Sequence, residues 1–341
     1  MATVDVVVPC YQYGRFLRDC VTSVLEQDIE GIRVLIIDNA STDDTAEVAC
    51  ALAANDPRVE VVTRRQNLGH LASFNQGIDW AVADYFMVLC ADDLLAPGAL
   101  RRAIAVMEQH PAVNLTFGRE FIIDLEVAVP EPQQSMADHT WDLMSGDSLL
   151  ERLCRAGRPD ASRFMIAGTT AIVRTSAQKR VGHYRATLPH TSDLEIWLRF
   201  ACVGGAAETD AVQGIRRVHP LNRSATVYNC HKWDLQWEAA FDSFFRHEGA
   251  RLPNCQRLRR MARRALAERA YWGCLSNLLR GNFALSRDLL HYAAARCPDT
   301  IIFPPVGYLL RHGDSLQRIA KALSETGSRW RTLSDGSSRI S

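Results

Sequence analysis

The chain opens on an alternation between short unbroken apolar runs and stretches whose apolar residues recur every three or four positions. Val4–Pro9 (VDVVVP) reads as a strand buried on both faces. Phe16, Leu17, Cys20, Val21, Val24 and Leu25 then keep helical spacing with one apolar face. Ile32–Ile37 repeats the strand signal, and Thr45–Ala54 the helical one, with Ser41 or Thr42 placed as its N-cap. Val59–Val62 is a third strand, followed by a helix carrying Leu71, Phe74 and Ile78. Tyr85–Cys90 is a fourth strand and Pro97–Gln109 a fourth helix. Such regular alternation predicts parallel crossovers. The expected fold is an α/β/α three-layer sandwich whose strands end on one edge.

From about Val113 the alternation stops. Leu115–Ile123 predicts a strand, 128–139 an irregular loop, and Met144–Arg155 a helix. Arg163–Arg174 reads as a strand interrupted at Gly168-Thr169-Thr170, where glycine permits a bulge or a close approach to a ligand. Leu194, Trp197, Leu198 and Ala201 have helical spacing, with Ser192 or Asp193 as N-cap and Gly204-Gly205 as the stop. Gln213–Val218 is a further strand that runs into His219. After Asn229 the pattern is helical only: His231–His247, Gln256–Arg280, Phe283–Arg296 and Ser315–Ser324. The expected division is 1–112 and 113–229 as two halves of one α/β domain, 230–325 as a helical region, and 326–341 as a disordered tail.

Charge and composition narrow the function classes. Lys and Arg together number 39, as do Asp and Glu, so no global basic field argues for a nucleic-acid partner. Locally, Arg251–Arg264 carries six arginines and no acid, which reads as a solvated helix face or as a basic surface for peripheral membrane contact. The ten cysteines are scattered singly, as small apolar residues of a reducing compartment are. No apolar run approaches the roughly 20 residues a membrane span needs. The expected location is the cytoplasm, with the inner face of the membrane as the place of any peripheral contact. Neither GxGxxG nor GxxxxGK[ST] occurs in the α/β region, which argues against a dinucleotide fold and a P-loop.

The candidate chemistry collects where the predicted strands end. That edge gathers Pro9, Cys10 and Tyr11, then Asp38-Asn39, then Arg64 to Asn67, then Asp92-Asp93. A carboxylate beside an amide at 38–39 suits the hydrogen-bonding edge of a base or a ribose, and Arg64 with Arg65 suits phosphate. Asp92 and Asp93 have two readings: ligands of Mg2+ or Mn2+, and through the ion of a diphosphate, or simple loop and cap residues. His219 would ligate a metal only if the fold brought an acid beside it.

Four segments in order resemble the opening of an inverting glycosyltransferase of family 2 with the GT-A fold: VDVVVPCYQYGRFLRDCVTSVLEQ, LIIDNASTDDT, NLGHLASFNQGIDWA and YFMVLCADDLLAPGAL. The later SDLEIWLR agrees as well, so the resemblance spans Thr3–Asn229, about two thirds of the chain. It implies a Rossmann-like mixed sheet, a nucleotide-diphosphate sugar donor (UDP-sugar favoured), Mn2+ or Mg2+, and a glycan, lipid-linked or other hydroxyl acceptor. By position, Pro9 and Tyr11 would line the nucleotide pocket and Asp38 would contact the base. Asp92 would bind the metal, with Asp93 and the late His219 beside it. Gly168, Thr169 and Thr170 would border the acceptor, and Asp193 would be the general base. Ala40 stands where many members have Gly. Cys90 and Ser192 stand where members carry acids. Those two departures keep open a catalytically weakened GT-A protein acting as a nucleotide-sugar-binding or scaffolding partner. A nucleotidyltransferase on a related sheet is a second rival, for which CYQYGR is a poor phosphate loop.

Overall fold

The computed structural model describes residues 2–124, 139–157, 164–220, 222 and 230–305. Most of the expected irregular loop, the 315–324 helix and the 326–341 tail lie outside those residues. The chain forms two compact units: 1–153 with 166–227 and 246–250, and 154–165 with 228–245 and 251–341.

The first unit is built on a nine-stranded mixed sheet. Its strands are β1 (Thr3–Cys10), β2 (Gly31–Asp38), β3 (Val59–Thr63), β4 (Tyr85–Val88), β5 (Leu94–Leu95), β6 (Val113–Asp124), β7 (Trp141–Met144), β8 (Ile172–Arg174) and β9 (Gly205–Val218). They lie in the order β3-β2-β1-β4-β8-β6-β9-β5, with β7 paired to β9. β1 to β4 are mutually parallel, with Cys10 opposite Asp38 and Asp38 opposite Thr63. β8 runs antiparallel between β4 and β6, and it is here that the sheet becomes mixed.

Helices α1 (Gly14–Leu25), α2 (Thr45–Asn55) and α4 (Ala99–Gln109) cover one face, packing Leu17, Val21, Leu52, Leu100 and Met107 against Val4, Val6, Val8, Val34 and Ile36. Helix α3 (His70–Trp80) covers the other, where the opposite phase of β1 points. At Gly77 a β-carbon would lie 2.5 Å from a methyl of Val7, so this approach of helix to strand requires glycine. With both faces covered, every β1 residue from Val4 to Cys10 is buried, which is why the strand reads as an almost unbroken apolar run. Each such Val or Ile contributes about 1.5–3 kcal/mol of burial free energy.

The structure corrects several expected boundaries. β4 stops at Val88, because the chain then turns with the Asp93 amide donating to the Cys90 carbonyl. The α2 N-cap is Asp44 rather than Ser41 or Thr42; those two side chains face the loop after β1, accepting from the Gln12 amide and side chain. The expected strand over 163–174 is a 3-10 turn, Gly168–Thr170, followed by only three residues of β8. Helix α5 (Gly146–Cys154) is shorter than expected. Apolar periodicity missed the short strands β5 and β7, both paired antiparallel with β9, and the helix α6 (Thr175–Val181). Helix α7 (Ser192–Ala201) has Thr191 as its N-cap, so Asp193 lies inside the first turn and does not cap it.

The second unit is helical: α8 (Cys230–Arg246), α9 (Cys255–Leu279), α10 (Phe283–Arg296) and α11 (Asp299–Ile302). Gly281, at φ +77°, makes the left-handed turn between α9 and α10. Ion pairs from Arg269 to the buried Asp234 (3.0 Å) and from Arg296 to Glu238 (2.8 Å) tie α8 to both. Arg257, Arg260, Arg263 and Arg264 are exposed on α9, and Arg264 also pairs with the buried Glu268 (3.1 Å).

Candidate active site

The first three strand ends carry a bonded loop cluster. Asp38 closes β2 with no exposed surface. Its Oδ1 accepts from the Ser41 amide (3.1 Å), whereas Oδ2 is buried with no hydrogen-bond partner. A buried carboxylate oxygen left unpaired is costly, and a ligand N–H donor would satisfy it. Asn39 is nearly as buried: its Oδ1 accepts from Arg64 (3.0 Å) and from the Leu68 amide (3.0 Å), and its amide donates to Asn67 (2.7 Å). Arg64 also donates to Gln76 (2.6 Å), so Asn39, Arg64 and Asn67 form one network that fixes the loop after β3. Tyr11 stands 43% exposed just past Pro9 and Cys10, free to cover a flat ring. Gln12 and Ala40 both hold positive φ (62° and 66°), a strained conformation for residues with a β-carbon.

The acids after β4 sit in the tight Cys90–Asp93 turn, which β5 then pins to β9. Leu94 pairs with Ile215 and Leu95 with Gly214, and this register carries the carboxyl end of β9 alongside the turn. His219 Nε2 thereby comes within 3.4 Å of Asp92 Oδ2. The fold thus brings an acid beside the lone histidine. Asn222 donates to the same Asp92 oxygen at 2.9 Å. Asp93 points into the protein: Thr169 Oγ1 donates to its Oδ2 (3.1 Å) and the Arg217 amide to its Oδ1 (3.2 Å). Burial, and then the Asp92 charge, push its carboxyl up to about 7.

Cys90, Asp92 and Asp93 offer ligand atoms within 4.8 Å of one another. The donor set suits a divalent cation at Asp92, where a carboxylate oxygen and an imidazole nitrogen converge. Cys90 suits it poorly, since burial first, and then Asp92, Asp93 and Asp193, raise its thiol well above the ordinary value and keep it neutral. Tyr13 and Phe16 pack their rings on His219 (centroids 5.5 and 4.8 Å away), holding the imidazole in place.

One 3-10 turn connects these acids to Asp193. Thr169 bonds Asp93, and at the preceding Gly168 a β-carbon would stand 3.6 Å from Asp193 Oδ2. Close approach of that turn to β9 also requires Gly214, where a β-carbon would meet the Thr169 carbonyl at 2.6 Å. Thr170 turns inward, donating to the Ala167 carbonyl (2.9 Å). Burial first, and then the Asp193 charge, raise the buried Tyr184 phenol well above its ordinary value.

Two further residue groups were not expected. Asn222 could have been noticed only as a polar residue three positions after His219. Glu195 reads from sequence as an ordinary helix residue, yet it is fully buried and takes bonds from Arg199 (2.8 and 3.0 Å) and from Arg185. Away from the site, at the opposite end of β4, a cavity of about 530 Å³ is lined by Tyr85, Glu108, Arg174 and Lys179 and includes none of the residues above.

The fold has close solved counterparts. S. aureus TarS 1–349, solved in complex with UDP-GlcNAc, superposes with TM-score 0.62 at 17% identity, over 87% of this chain and 88% of that one. The mannosyltransferase PcManGT from Pyrobaculum calidifontis, solved with GDP-Man and Mn2+, gives TM-score 0.55 at 18% identity, over 95% and 83%. An uncharacterized glycosyltransferase of Haemophilus influenzae is 23% identical over 232 residues, 66% of this chain and 68% of that protein. Two further curated relatives are matched over 36% and 50% of their own lengths. Residues 5–177, just over half of the sequence, match the model described as Glycosyl transferase family 2, and the chain therefore belongs to that family of glycosyltransferases.

Proposed function

We propose that the protein is a metal-dependent inverting glycosyltransferase, moving a sugar from a nucleotide-diphosphate donor to an acceptor hydroxyl in glycan or polysaccharide biosynthesis. The observation that carries this reading is the single turn Gly168–Thr170, with the Asp193 carboxylate against one end and Asp93 bonded to the next residue. Asp92, the proposed cation holder, adjoins Asp93 in the Cys90–Asp93 turn, and a base and a cation-holding acid are what displacement at an anomeric carbon needs on its two sides.

The donor's base would meet Asp38, whose unpaired Oδ2 suits a ring N–H such as uracil, thymine and guanine all carry; a UDP-sugar is the donor proposed. Asn39, Arg64 and Asn67 hold the wall of that pocket, and Pro9 and Tyr11 its mouth. Asp92 and His219 would hold Mn2+ or Mg2+, with Asp93 fixing the turn behind them. A cation held there offsets the negative charge that builds on the leaving diphosphate. At the other side, Asp193 takes the proton of the acceptor hydroxyl. The acceptor oxygen bonds to the anomeric carbon as the bond from that carbon to the diphosphate oxygen breaks, and the configuration inverts. Gly168, Thr169 and Thr170 border the acceptor.

Among the described residues no helix is long and apolar enough to cross a membrane. The exposed arginines of α9 support a peripheral contact at the cytoplasmic face, close to a lipid-linked acceptor.

Asp193→Asn tests the reading. Donor binding should persist while transfer falls by about 10²–10⁴-fold, the usual contribution of a positioned base. Retained turnover would remove Asp193 from the chemistry. A wild-type protein that binds donor but transfers to no hydroxyl would point instead to a scaffolding role, the reading that Cys90 and Ser192 favour.

A further inference from the structure

Asn222 stands between the two groups assigned to the cation. Its amide nitrogen lies 2.9 Å from Asp92 Oδ2 and 3.1 Å from His219 Nε2, atoms themselves 3.4 Å apart. The orientation of the amide is fixed by its other end: Asn222 Oδ1 accepts from the His219 backbone N–H at 2.5 Å, which only an oxygen can do. The nitrogen is therefore the end that faces the pair, and it can only donate. His219 Nε2 accordingly presents its lone pair, with the ring proton on Nδ1. The backbone braces the same arrangement, since the Asn222 amide N–H donates to the His219 carbonyl at 3.0 Å. Both groups are nine-tenths or more buried, so water competes poorly for these bonds.

We infer that Asn222 is a gate on the cation site: its side-chain amide uses the lone pairs of Asp92 and His219 that a divalent ion would use, and must swing away before both can ligate. The two occupants are mutually exclusive at His219 Nε2, because an N–H donor and a cation cannot share one imidazole lone pair, whereas the Asp92 carboxylate has further lone pairs to offer. Asn222 thus lowers the affinity of the site for cation by the strength of the bonds the ion must break. It also holds Asp92 and His219 together, preformed for the exchange. A donor arriving with its own cation supplies phosphate ligands that tip the balance, so the gate favours loading of nucleotide and cation together over the cation alone.

This inference rests on the reading of Asp92 and His219 as the cation's holders, and the test separates the two. Mn2+ binding to wild-type, Asn222→Ala and Asp92→Ala protein would be followed by the loss of the free-ion electron paramagnetic resonance signal, without nucleotide. The gate predicts about three- to tenfold tighter Mn2+ binding in Asn222→Ala, the equivalent of one ordinary hydrogen bond removed from the competition, and loss of binding in Asp92→Ala. Equal or weaker binding in Asn222→Ala with loss in Asp92→Ala would overturn the gate alone, and would make Asn222 a neutral neighbour or itself a ligand. Undiminished binding in Asp92→Ala would overturn the cation site and the gate with it. Should the alanine variant fail to fold, Asn222→Ser, which keeps an oxygen for the His219 N–H, gives the same reading.

Discussion

Glu195 offers the sharpest test of how the site is held, because its surroundings allow the size of the effect to be worked out. It lies two residues after Asp193 on α7 and has no exposed surface. Arg199, itself 4% exposed, donates to it through Nε and Nη2 at 3.0 and 2.8 Å, and Arg185 donates as well. Arg185 in turn reaches Glu248 at 2.8 Å, and Arg199 the carbonyls of Val181 (2.6 Å) and His183 (2.8 Å). Burial pushes the Glu195 carboxyl up while the two arginines pull it down, so the pair as a whole adds little net stability. Removing one partner is a different matter. Glu195→Ala leaves the Arg199 guanidinium charged, buried and short of its acceptors, which costs about 3–5 kcal/mol. For a unit of this size that is a fall in Tm of about 6–20 °C. Because α7 carries Asp193 in its first turn, kcat should fall too, while nucleotide affinity, which the proposed reading assigns to the ends of β1 to β4, should hold. Thermal unfolding followed by tryptophan fluorescence is a suitable assay, since Trp197 lies on the same helix. A loss under about 2 °C, less than 1 kcal/mol on the same scale, would refute the view that this ionic cluster anchors the helix.

Two substitutions probe the nucleotide side. Ala40→Gly relieves a left-handed φ and should stabilise the protein by about 0.5–1 kcal/mol after the extra chain entropy of glycine is subtracted; a destabilised variant would mean that the alanine methyl packs usefully. Asp38→Asn keeps the bulk but removes the charged acceptor, and should weaken nucleotide binding by about 10- to 100-fold in titration, the worth of a hydrogen bond to a charged group. Unchanged affinity would take the base away from Asp38.

The parallel half of the sheet is legible in the sequence because its inner strands β1 and β2 are largely buried on both faces. The runs at Val4–Pro9 and Ile32–Ile37 cannot be mistaken for amphipathic helix, and the polar residues that follow each are where the edge had to be. The later half was harder to read. β5 is two residues long, and its pairing with β9 depends on contacts 120 residues apart in sequence, which no local period records. The Gly168–Thr170 turn was expected as an interruption of a strand, but its role as the bridge between Asp93 and Asp193 comes from tertiary packing alone. The N-caps were misplaced at α2 and α7 because several Ser, Thr and Asp residues compete for each cap and only the backbone angles choose among them. The resemblance marks Asp193 as the candidate base, whereas the helix-start signals alone favour it as a cap, a position that the structure gives to Thr191. Asn222, a polar residue three positions after His219, and Glu195, an ordinary helix residue in sequence, acquire their roles only from partners that the fold brings to them.

In the proposed site Asp92, through a divalent cation, holds a nucleotide diphosphate at this edge of the sheet. Calorimetric titration of UDP, GDP and dTDP into wild-type and Asp92→Ala protein, with and without Mn2+, tests it most directly. UDP should bind only in the presence of Mn2+, and Asp92→Ala should abolish that binding in a protein that still folds. Binding of equal strength without the ion or in the variant, or no binding of any of the three nucleotides by folded wild-type protein, would contradict it.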